Sequence, residues 1–299
     1  MYGQQNLLHE YLSTLWGQWR DAQGASPGGE PAAVIPQPDL PEPEETAAKA
    51  AASQVQAPVP VQSGAPLDAA RAAIAATNQD DTLWGGDGRD SIVGQGGDDT
   101  IHGGDGDDTI RGGAGHDNIY GDGGDDTLYG GSGKEDFWGG DGDDTIYGNE
   151  DQDIALGGAG DDRIWAGQGD DIFAGEDGDD VLYGEAGADS IWGGENQDTI
   201  FAGNGDDQIE GDGGDDMLYG GGGRDRFITD SVDGNDVVAD FKSSQDQLVF
   251  RGVYAGVDDA LAHAWQQGSS VVFDTGGGNG VTVLKTDLAQ LSDANVAIW

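Results

Sequence analysis

The sequence predicts an all-β fold, a right-handed parallel β-roll in which nonapeptide turns stack into a solenoid. A nine-residue phrase with a large apolar residue at its eighth position repeats seventeen times over residues 76–228, without insertion or deletion. Glycine accounts for 56 of the 299 residues, and acidic residues outnumber basic ones by 58 to 12. One apolar residue in nine fits neither an amphipathic helix nor an alternating strand. Each phrase is therefore expected to hold one very short strand and one turn.

The phrase reads Gly-Gly-x-Gly-x-Asp-x-U-x, where U is the large apolar residue, and residues 103–111 are a clear copy. We expect x-U-x to form a three-residue strand with U turned inward, and the first six positions to form the turn. Two phrases then make one coil of a flattened roll, and strands of neighbouring coils stack in parallel about 4.8 Å apart. Only one copy has a small residue at the U position, Ala155.

The sixth position carries a carboxylate in every copy. These residues are Asp81, Asp90, Asp99, Asp108, Asp117, Asp126, Glu135, Asp144, Asp153, Asp162, Asp171, Asp180, Asp189, Asp198, Asp207, Asp216 and Asp225. Equivalent residues of alternate copies stack, so Asp108 lies one coil from Asp126, and like charges that close repel each other. Calcium accepts carboxylate and carbonyl oxygens, and glycine at positive φ can direct carbonyls at an ion. The phrase therefore predicts several Ca²⁺ ions between stacked turns, with all seventeen carboxylates as metal ligands.

Calcium is also expected to drive folding. One inward apolar side chain in each phrase buries too little surface to offset the ordering of the chain. The binding free energy of the ions would then supply the missing folding free energy, so the roll is expected to be unfolded without calcium. Since each ion would be shared by a turn and its counterpart in the next coil, seventeen turns leave at most fifteen such pairs.

Two copies depart from the phrase in ways that should weaken a coil. The copy over residues 148–156 has Asp151 in place of the fourth-position glycine and also contains Ala155, so the weakest coil is expected there. Glu135 is one methylene longer than aspartate, and the neighbouring Asp136 is expected to be able to replace it as a ligand.

The repeats resemble the RTX family, also called the haemolysin-type calcium-binding repeat family. The resemblance covers residues 76–228, and residues 234–241 are similar to the G-x-D-x-I-x-D-F segment that follows many such rolls. It implies calcium binding at the sixth-position residues and secretion to the extracellular space. It also implies that a bacterial type I secretion apparatus reads the uncleaved C-terminus, which includes residues 288–299.

The composition excludes several other classes of partner and site. The net charge is −46, and the repeats alone carry 40 acidic and 6 basic residues, which disfavours nucleic acid and anionic membranes as partners. The chain has no cysteine, so disulfides and thiolate chemistry are excluded. No long apolar run predicts a transmembrane segment, and the first twenty residues lack the pattern of a Sec signal peptide.

The residues outside the repeats form three predicted segments. Residues 1–24 are expected to contain a short amphipathic helix, whose apolar stripe either packs on the roll or docks into a partner groove. Residues 25–75 are rich in Pro and Ala and predict a flexible linker. Residues 229–299 predict a small β-rich cap for the end of the solenoid. Its expected elements are two short strands within 236–250, a helix over 257–267, and a hairpin of 271–274 with 281–284.

No motif in the chain predicts catalysis. The four histidines form no H-E-x-x-H pattern, and residues 130–134 read Gly-Gly-Ser-Gly-Lys, which breaks the G-x-S-x-G pattern at its last position. The paired carboxylates of a repeat are expected to be ligands or solvated charges. The chain is therefore predicted to be non-enzymatic, with no catalytic residues.

A second pattern occupies the ninth position of alternate copies. Six aromatic residues would stack on one sheet: Tyr129, Tyr147, Trp165, Tyr183, Phe201 and Tyr219. Either the rings only pack on one another, as suits strands, or they form a docking face for a glycan or a surface protein. The sequence thus predicts a secreted, calcium-dependent binding or structural module. The alternative is a carbohydrate-binding accessory of an extracellular polysaccharide-modifying system.

Overall fold

A computed structural model of the protein describes residues 73–230 and 234–299, which all lie in one compact unit of the chain. It confirms the predicted all-β parallel solenoid of stacked coils. The helix expected within residues 1–24 lies outside the described residues, as does most of the linker expected over 25–75. The last three residues of that linker are not irregular, because Ala73–Ala75 pair in parallel with Ser91, Ile92 and Val93 as the first strand of a sheet.

The strands alternate between two sheets. Through the repeats they are β1 Ala73–Ala75, β2 Thr82–Asp87, β3 Ser91–Gly96, β4 Thr100–Asp105, β5 Thr109–Ala114, β6 Asn118–Gly123, β7 Thr127–Ser132, β8 Asp136–Asp141, β9 Thr145–Asn149, β10 Ile154–Ala159, β11 Arg163–Gln168, β12 Ile172–Asp177, β13 Val181–Ala186, β14 Ser190–Glu195, β15 Thr199–Phe201, β16 Gln208–Gly213, β17 Met217–Tyr219 and β18 Arg226–Thr229. Odd-numbered strands form one sheet and even-numbered strands the other. Each strand pairs in parallel with the strand two positions along, so one coil comprises two phrases, as predicted.

Most of these strands are longer than expected. Thr109–Ala114 is typical and includes the first three positions of the next phrase. The prediction of three-residue strands was wrong because the parallel ladder continues through the paired glycines, as at Gly113, which pairs with Gln95 and Gly131. Gly113 does so at a φ of 122°. The turn itself is therefore correspondingly short.

The core of the roll is the stack of eighth-position side chains. From Ile92 to Phe227 they are at most 3% exposed. Ala155 lies in register between Phe137 and Phe173, which are larger than the Ile or Leu found at this position in most copies. A narrow void remains beside Ala155, Phe137 and Phe173, too small for a water molecule. Packing at this coil is thus partly restored by its two neighbours.

The residues after the repeats continue both sheets and close the end of the solenoid. Their elements are β19 Asn235–Val238, β20 Gln247–Phe250, α1 Val257–Ala262, β21 Ala264–Gln267, β22 Ser270–Gly276, β23 Asn279–Val283, a 3₁₀ helix at Leu288–Gln290, and β24 Val296–Ile298. The first sheet ends in the order β17-β19-β23-β22-β21, and the second ends in β18-β20-β24. The expected β-rich cap is therefore present, and it is built onto the last strands of the roll.

Two details of the cap test the sequence-based elements. The hairpin is confirmed as β22 and β23 around Gly277 and Gly278, whose φ values are 68° and 103°. The helix expected over 257–267 was wrong beyond Ala262, because residues 264–267 pair antiparallel with β22 through a turn at Gly268. Among the described residues, no helix is long and apolar enough to cross a membrane.

Candidate metal centre

The sixth-position carboxylates form two buried columns, one along each edge of the roll. Edge 1 comprises Asp90, Asp108, Asp126, Asp144, Asp162, Asp180, Asp198 and Asp216. Edge 2 comprises Asp81, Asp99, Asp117, Glu135, Asp153, Asp171, Asp189, Asp207 and Asp225. Apart from Asp81, none of these side chains is more than 2% exposed. The columns arise because the sixth position occupies the same place before the strand in every coil.

One oxygen of most of these carboxylates accepts a hydrogen bond from a backbone N–H of the coil before it. The N–H of Asp108 donates to Oδ1 of Asp126 at 2.7 Å, and the N–H of Asp126 donates to Oδ1 of Asp144 at 2.7 Å. The same bond recurs along both edges, for example from Asp153 to Asp171 at 2.8 Å. These bonds fix the orientation of the carboxylate, so that its second oxygen turns into the gap between coils.

The second oxygen receives no hydrogen bond from a protein donor. This holds for Oδ2 of Asp99, Asp108, Asp117, Asp126, Asp144, Asp153, Asp162, Asp171, Asp180, Asp189, Asp198, Asp207, Asp216 and Asp225. A buried acceptor without a donor is costly, and a whole column of them is unusual in a folded protein. We therefore expect a cation or a proton beside each of these oxygens. The space between two successive carboxylates of a column is called a step.

Beside most first-position glycines, a carbonyl oxygen of the next coil and the second carboxylate oxygen both lie close to the space that a Cβ would occupy. A Cβ on Gly103 would lie 2.5 Å from Oδ2 of Asp108 and 2.6 Å from the carbonyl oxygen of Gly121 in the next coil. Two acceptors thus point at one small space with no hydrogen between them. Such a cradle favours a positive ion, and it explains why the first position of the phrase is glycine.

The raised pKa values of the column carboxylates also indicate that a cation or a proton is needed beside them. Burial, with repulsion from Asp144, raises the pKa of Asp126 to about 8, although the N–H of Asp108 acts against the rise. Burial, followed by repulsion from Asp207, raises the pKa of Asp189 to about 9. Without a cation, such groups hold protons near neutral pH. A divalent ion that enters the column must therefore displace protons.

The donor set fits calcium. Within the described residues no three His, Cys, Asp or Glu side chains converge on one point, so a cation between turns must take most of its ligands from backbone carbonyls. Calcium accepts six to eight oxygen ligands in flexible geometry, whereas zinc prefers nitrogen and sulfur. The residues that would hold it are the sixth-position carboxylates and first-position carbonyls, such as Asp108 and Gly121.

Among the sixth-position carboxylates, Glu135 differs most from the others. Neither of its carboxylate oxygens receives a hydrogen bond, and burial with repulsion from Asp153 raises its pKa to about 9. The adjacent Asp136 does not take its place, because its carboxylate lies on the outer face, 3.7 Å from Nε2 of His116. Glu135 therefore lacks the backbone bond that orients the other carboxylates, although its Oε2 still lies at the gap beside Gly130, 2.6 Å from the place that a Cβ there would occupy.

Other departures from the phrase have local effects. Asp151 at the fourth position adopts a φ of 69°, a left-handed conformation that strains an aspartate. Ala166 and Ala202 carry a real Cβ where most copies have glycine and an open gap, and both are buried. Their side chains narrow the cradles next to Asp171 and Asp207.

The first turn of the roll is closed by its own residues. Oδ2 of Asp81 accepts hydrogen bonds from the N–H of Thr77 at 2.9 Å and from its hydroxyl at 2.7 Å. Asp81 is also partly exposed, unlike the other members of the columns. Its second oxygen is thus already satisfied before any cation binds.

Sequence reasoning missed two carboxylates that extend the columns beyond the repeats. The N–H of Asp216 donates to Oδ1 of Asp236 at 3.3 Å on edge 1, and the N–H of Asp225 donates to Oδ1 of Asp246 at 3.2 Å on edge 2. Both carboxylates are 2% exposed. Neither follows its partner at the regular spacing of two phrases, so the period does not reveal them. The pattern of an aspartate two positions before an inward apolar residue, Val238 or Leu248, could have identified them.

The aromatic residues do form the expected ladder. The centroids of successive rings from Tyr129 to Tyr219 lie 4.7–5.1 Å apart, and the angles between the ring planes are 7–14°. The Cζ atom of Arg111 lies 4.7 Å from the centroid of the Tyr129 ring. A second ladder on the other sheet runs from Trp84 to Trp138 at 3.9–4.4 Å. The ring faces therefore cover one another, which favours packing over face-on contact with a sugar.

The repeats match a protein family, and a solved structure is similar to part of the chain. The RTX calcium-binding nonapeptide repeat family matches residues 76–110, 102–134, 129–164, 138–173, 165–200 and 192–227. No curated protein matches the chain. The crystal structure of the extracellular lipase LipA from Serratia marcescens is similar at 20% identity and a TM-score of 0.30, covering 70% of this chain and 40% of the lipase chain.

The chain thus spans two fifths of the length of that lipase, and the family match covers the whole repeat block. The block is also where the two columns of buried carboxylates lie. On the strength of this match, the chain belongs to the RTX calcium-binding nonapeptide repeat family.

Proposed function

We propose that this protein is a secreted, non-enzymatic module whose roll folds as Ca²⁺ enters the two carboxylate columns. One observation carries the proposal: buried carboxylate oxygens without a donor face carbonyl oxygens across glycine-lined gaps, coil after coil. The ions would lie between equivalent turns of neighbouring coils. The ligands would be the sixth-position residues from Asp90 to Asp225, with Glu135 the poorest of them, and Asp81 is excluded because Thr77 already satisfies it.

Calcium supplies positive charge that neutralises the column and bridges neighbouring coils. The chain supplies the orientation, because each backbone N–H holds one carboxylate oxygen and leaves the other toward the gap. Since neighbouring ions share the same coils, binding at one step orders the next. We therefore expect folding and binding to be a single cooperative process.

The test is a calcium titration on the full chain and on two matched variants. Asp126→Asn keeps the oxygen that accepts from Asp108, and its amide can donate to the facing carbonyl, so the coil can still stack. We expect it to lower the number of bound ions, counted by native mass spectrometry, and to raise the calcium concentration at the folding midpoint. The control Asp125→Asn removes an equal charge from an exposed side chain and should change neither.

Three results would overturn the proposal. The wild-type chain could take up no calcium, strand circular dichroism could persist in excess chelator, or Asp126→Asn could bind as many ions as Asp125→Asn. The first two would contradict calcium-driven folding. The third would contradict the assignment of the sixth-position carboxylates as ligands.

We also propose export by a type I secretion apparatus, on the resemblance to RTX proteins. Residues 288–299 would then be read before folding, because Val296 is 1% exposed once β24 has joined its sheet. Low calcium inside the cell and higher calcium outside would keep the chain unfolded until it leaves. Co-expression with such an apparatus should place the chain in the medium, and removal of residues 288–299 should retain it in the cell. Equal export of both chains would contradict this part.

A further inference from the structure

The gaps of edge 1 are built in the same way in almost every coil. Their first-position residues are Gly85, Gly103, Gly121, Gly139, Gly157, Gly175, Gly193 and Gly211, and each of these copies has aspartate at the sixth position. From Gly85 to Gly193, the second carboxylate oxygen and a carbonyl oxygen of the next coil both lie within 2.7 Å of the place that a Cβ would occupy. Edge 1 thus repeats the same pair of oxygens without a break.

Edge 2 has the same period but is interrupted at three gaps. Beside Asp171 and Asp207 the first-position residue is alanine, and these alanines, Ala166 and Ala202, are at most 4% exposed. The third gap contains Glu135 in place of aspartate. All three departures fall on edge 2, so the two edges do not offer equal sites to a cation.

The alanine methyl groups occupy space that a cation would need. On edge 1, a Cβ added to Gly157 would lie 2.7 Å from the carbonyl oxygen of Gly175 and closer still to Oδ2 of Asp162. Ala166 has a methyl group at the equivalent place on edge 2. Calcium requires six to eight oxygen ligands at about 2.3–2.6 Å. A methyl group in the gap displaces some of them, so calcium should bind more weakly there.

The gap at Glu135 is weakened in a different way. Oε2 of Glu135 lies beside Gly130, but neither carboxylate oxygen accepts a hydrogen bond that would hold it there. The ammonium of the preceding Lys134 donates to Oε1 of Gln152 at 2.7 Å, so an exposed positive charge spans the same two turns. A divalent cation at this step must therefore order its ligand and bind near a like charge.

Asp162 on edge 1 and Asp171 on edge 2 isolate the effect of the methyl group. Each is 1% exposed, and the Oδ2 atom of each receives no hydrogen bond. Each Oδ1 atom accepts from a backbone N–H of the coil before it, at 2.7 Å for Asp162 and 2.8 Å for Asp171. The two gaps differ in their first-position residue, Gly157 or Ala166.

We propose that the roll has two classes of calcium site. The strong sites are the gaps of edge 1 from Asp90 to Asp198 and the regular gaps of edge 2, and the weak sites are the gaps beside Glu135, Asp171 and Asp207. This inference rests on the proposed function, since it assumes that Ca²⁺ occupies the columns.

The two classes would bind calcium at different stages. Edge 1 contacts every coil, so ions at its strong sites can join the coils during cooperative folding. Ions at the weak sites enter the folded roll at higher calcium concentration. Edge 2 therefore responds to changes in calcium that leave the fold intact.

The first test follows calcium uptake and folding of the full chain together. Native mass spectrometry counts the bound ions, and circular dichroism measures strand content, over a range of calcium concentrations. We expect strand content to reach its plateau before the ion count does, with one further ion for each weak gap bound after that plateau. An ion count and a strand content that saturate together would overturn the inference.

Matched variants assign the weak sites. Ala166→Gly opens the gap beside Asp171 and should move one ion from the late stage to the early stage, even though glycine disfavours a strand. The control Ala114→Gly makes the same change at an exposed third position, outside any gap, and should move none. Asp162→Asn should raise the calcium concentration at the folding midpoint more than Asp171→Asn does.

The outcomes separate this inference from the proposed function. If the wild-type chain takes up no calcium, both fail. If the wild-type chain folds with calcium but Ala166→Gly, folded by circular dichroism, leaves the late stage unchanged, only the two classes of site are overturned. The same conclusion follows if Asp171→Asn shifts the folding midpoint as much as Asp162→Asn does.

Discussion

The roll and the cap use different means to order a chain. Most turns of the roll bury one apolar side chain together with one carboxylate whose second oxygen lacks a donor. The cap instead has an aromatic core, in which the ring centroid of Phe250 lies 4.9 Å from that of Phe273 and 5.0 Å from that of Tyr254. Apolar burial should therefore stabilise the cap, whereas the roll is expected to need the proposed cations.

Polar groups show the same contrast. In the cap, the Tyr254 hydroxyl donates to the Asp274 carbonyl at 2.7 Å, and the Asn295 amide donates to two carbonyl oxygens. At the boundary, Arg251 forms a two-point ion pair with the buried Glu210 at 2.7 and 3.0 Å. These groups are satisfied within the chain. The repeats instead leave one oxygen of most buried carboxylates without a donor, which supports the proposal that a cation completes them.

The largest expected effect is that of removing calcium. Chelation should abolish most of the strand circular dichroism at neutral pH, because the buried carboxylates can then remain in the folded columns only by binding protons, against a pKa of 3.8 for an ordinary aspartate. Hydrogen exchange would sharpen the comparison: amides of residues 91–229 should lose protection, while those of the β22–β23 hairpin should keep more of theirs. Equal protection of both regions in chelator would break the distinction between roll and cap.

The second largest effect is that of pH on the calcium-free chain. Burial raises the pKa of Asp162 to about 8 and, with repulsion from Asp180, that of Asp198 to about 8, against about 3.8 in the unfolded chain. A folded pKa above the unfolded one adds stability that is complete below the unfolded value and is lost as pH rises through the folded value. Without calcium, strand content should therefore be higher at about pH 5 than at about pH 9.

Circular dichroism across that range measures the effect. With calcium in excess the trend should reverse, because protons and calcium compete for the same oxygens. A calcium-free chain with no more strand in acid than in base would show that the carboxylates are not buried in the absence of the ion.

A third prediction concerns the core of the cap. Phe273 is fully buried, and Phe273→Ala should lower the free energy of unfolding by about 3–5 kcal/mol. The number of calcium ions bound by the folded chain should not change, since no carboxylate of the columns is altered. Thermal unfolding with an ion count measures both. The control Trp265→Ala, at a side chain that is 48% exposed, should cost less than about 0.5 kcal/mol.

The smallest effect is expected at a strained turn of the roll. Asp151 has a φ of 69°, so Asp151→Gly should relieve the strain and stabilise its coil by up to about 1 kcal/mol. The calcium concentration at the folding midpoint should fall slightly. Asp143→Gly, at a fifth position, should give no such gain. If Asp151→Gly raised the midpoint, the carboxylate of Asp151 would have a role that its exposed position does not indicate.

The repeating part of the fold and of the candidate site could be predicted from the sequence because its period carries the geometry. A strict spacing of nine places Ile92 inward and stacks Asp108 on Asp126, whatever the rest of the chain does. The expected C-terminal hairpin followed from local turn chemistry in the same way. These features depend on residues that are close in the sequence or separated by the strict nine-residue period. The sequence alone is therefore sufficient to predict them.

Where the nine-residue period ends, only the tertiary structure decided which residues come into contact. Asp236 and Asp246 join the columns only because loops of unequal length bring them onto the last coils. Residues 264–267 form a strand rather than the end of a helix because β22 offers a pairing partner. In each case the deciding contact is nonlocal, and no spacing within the sequence specifies it.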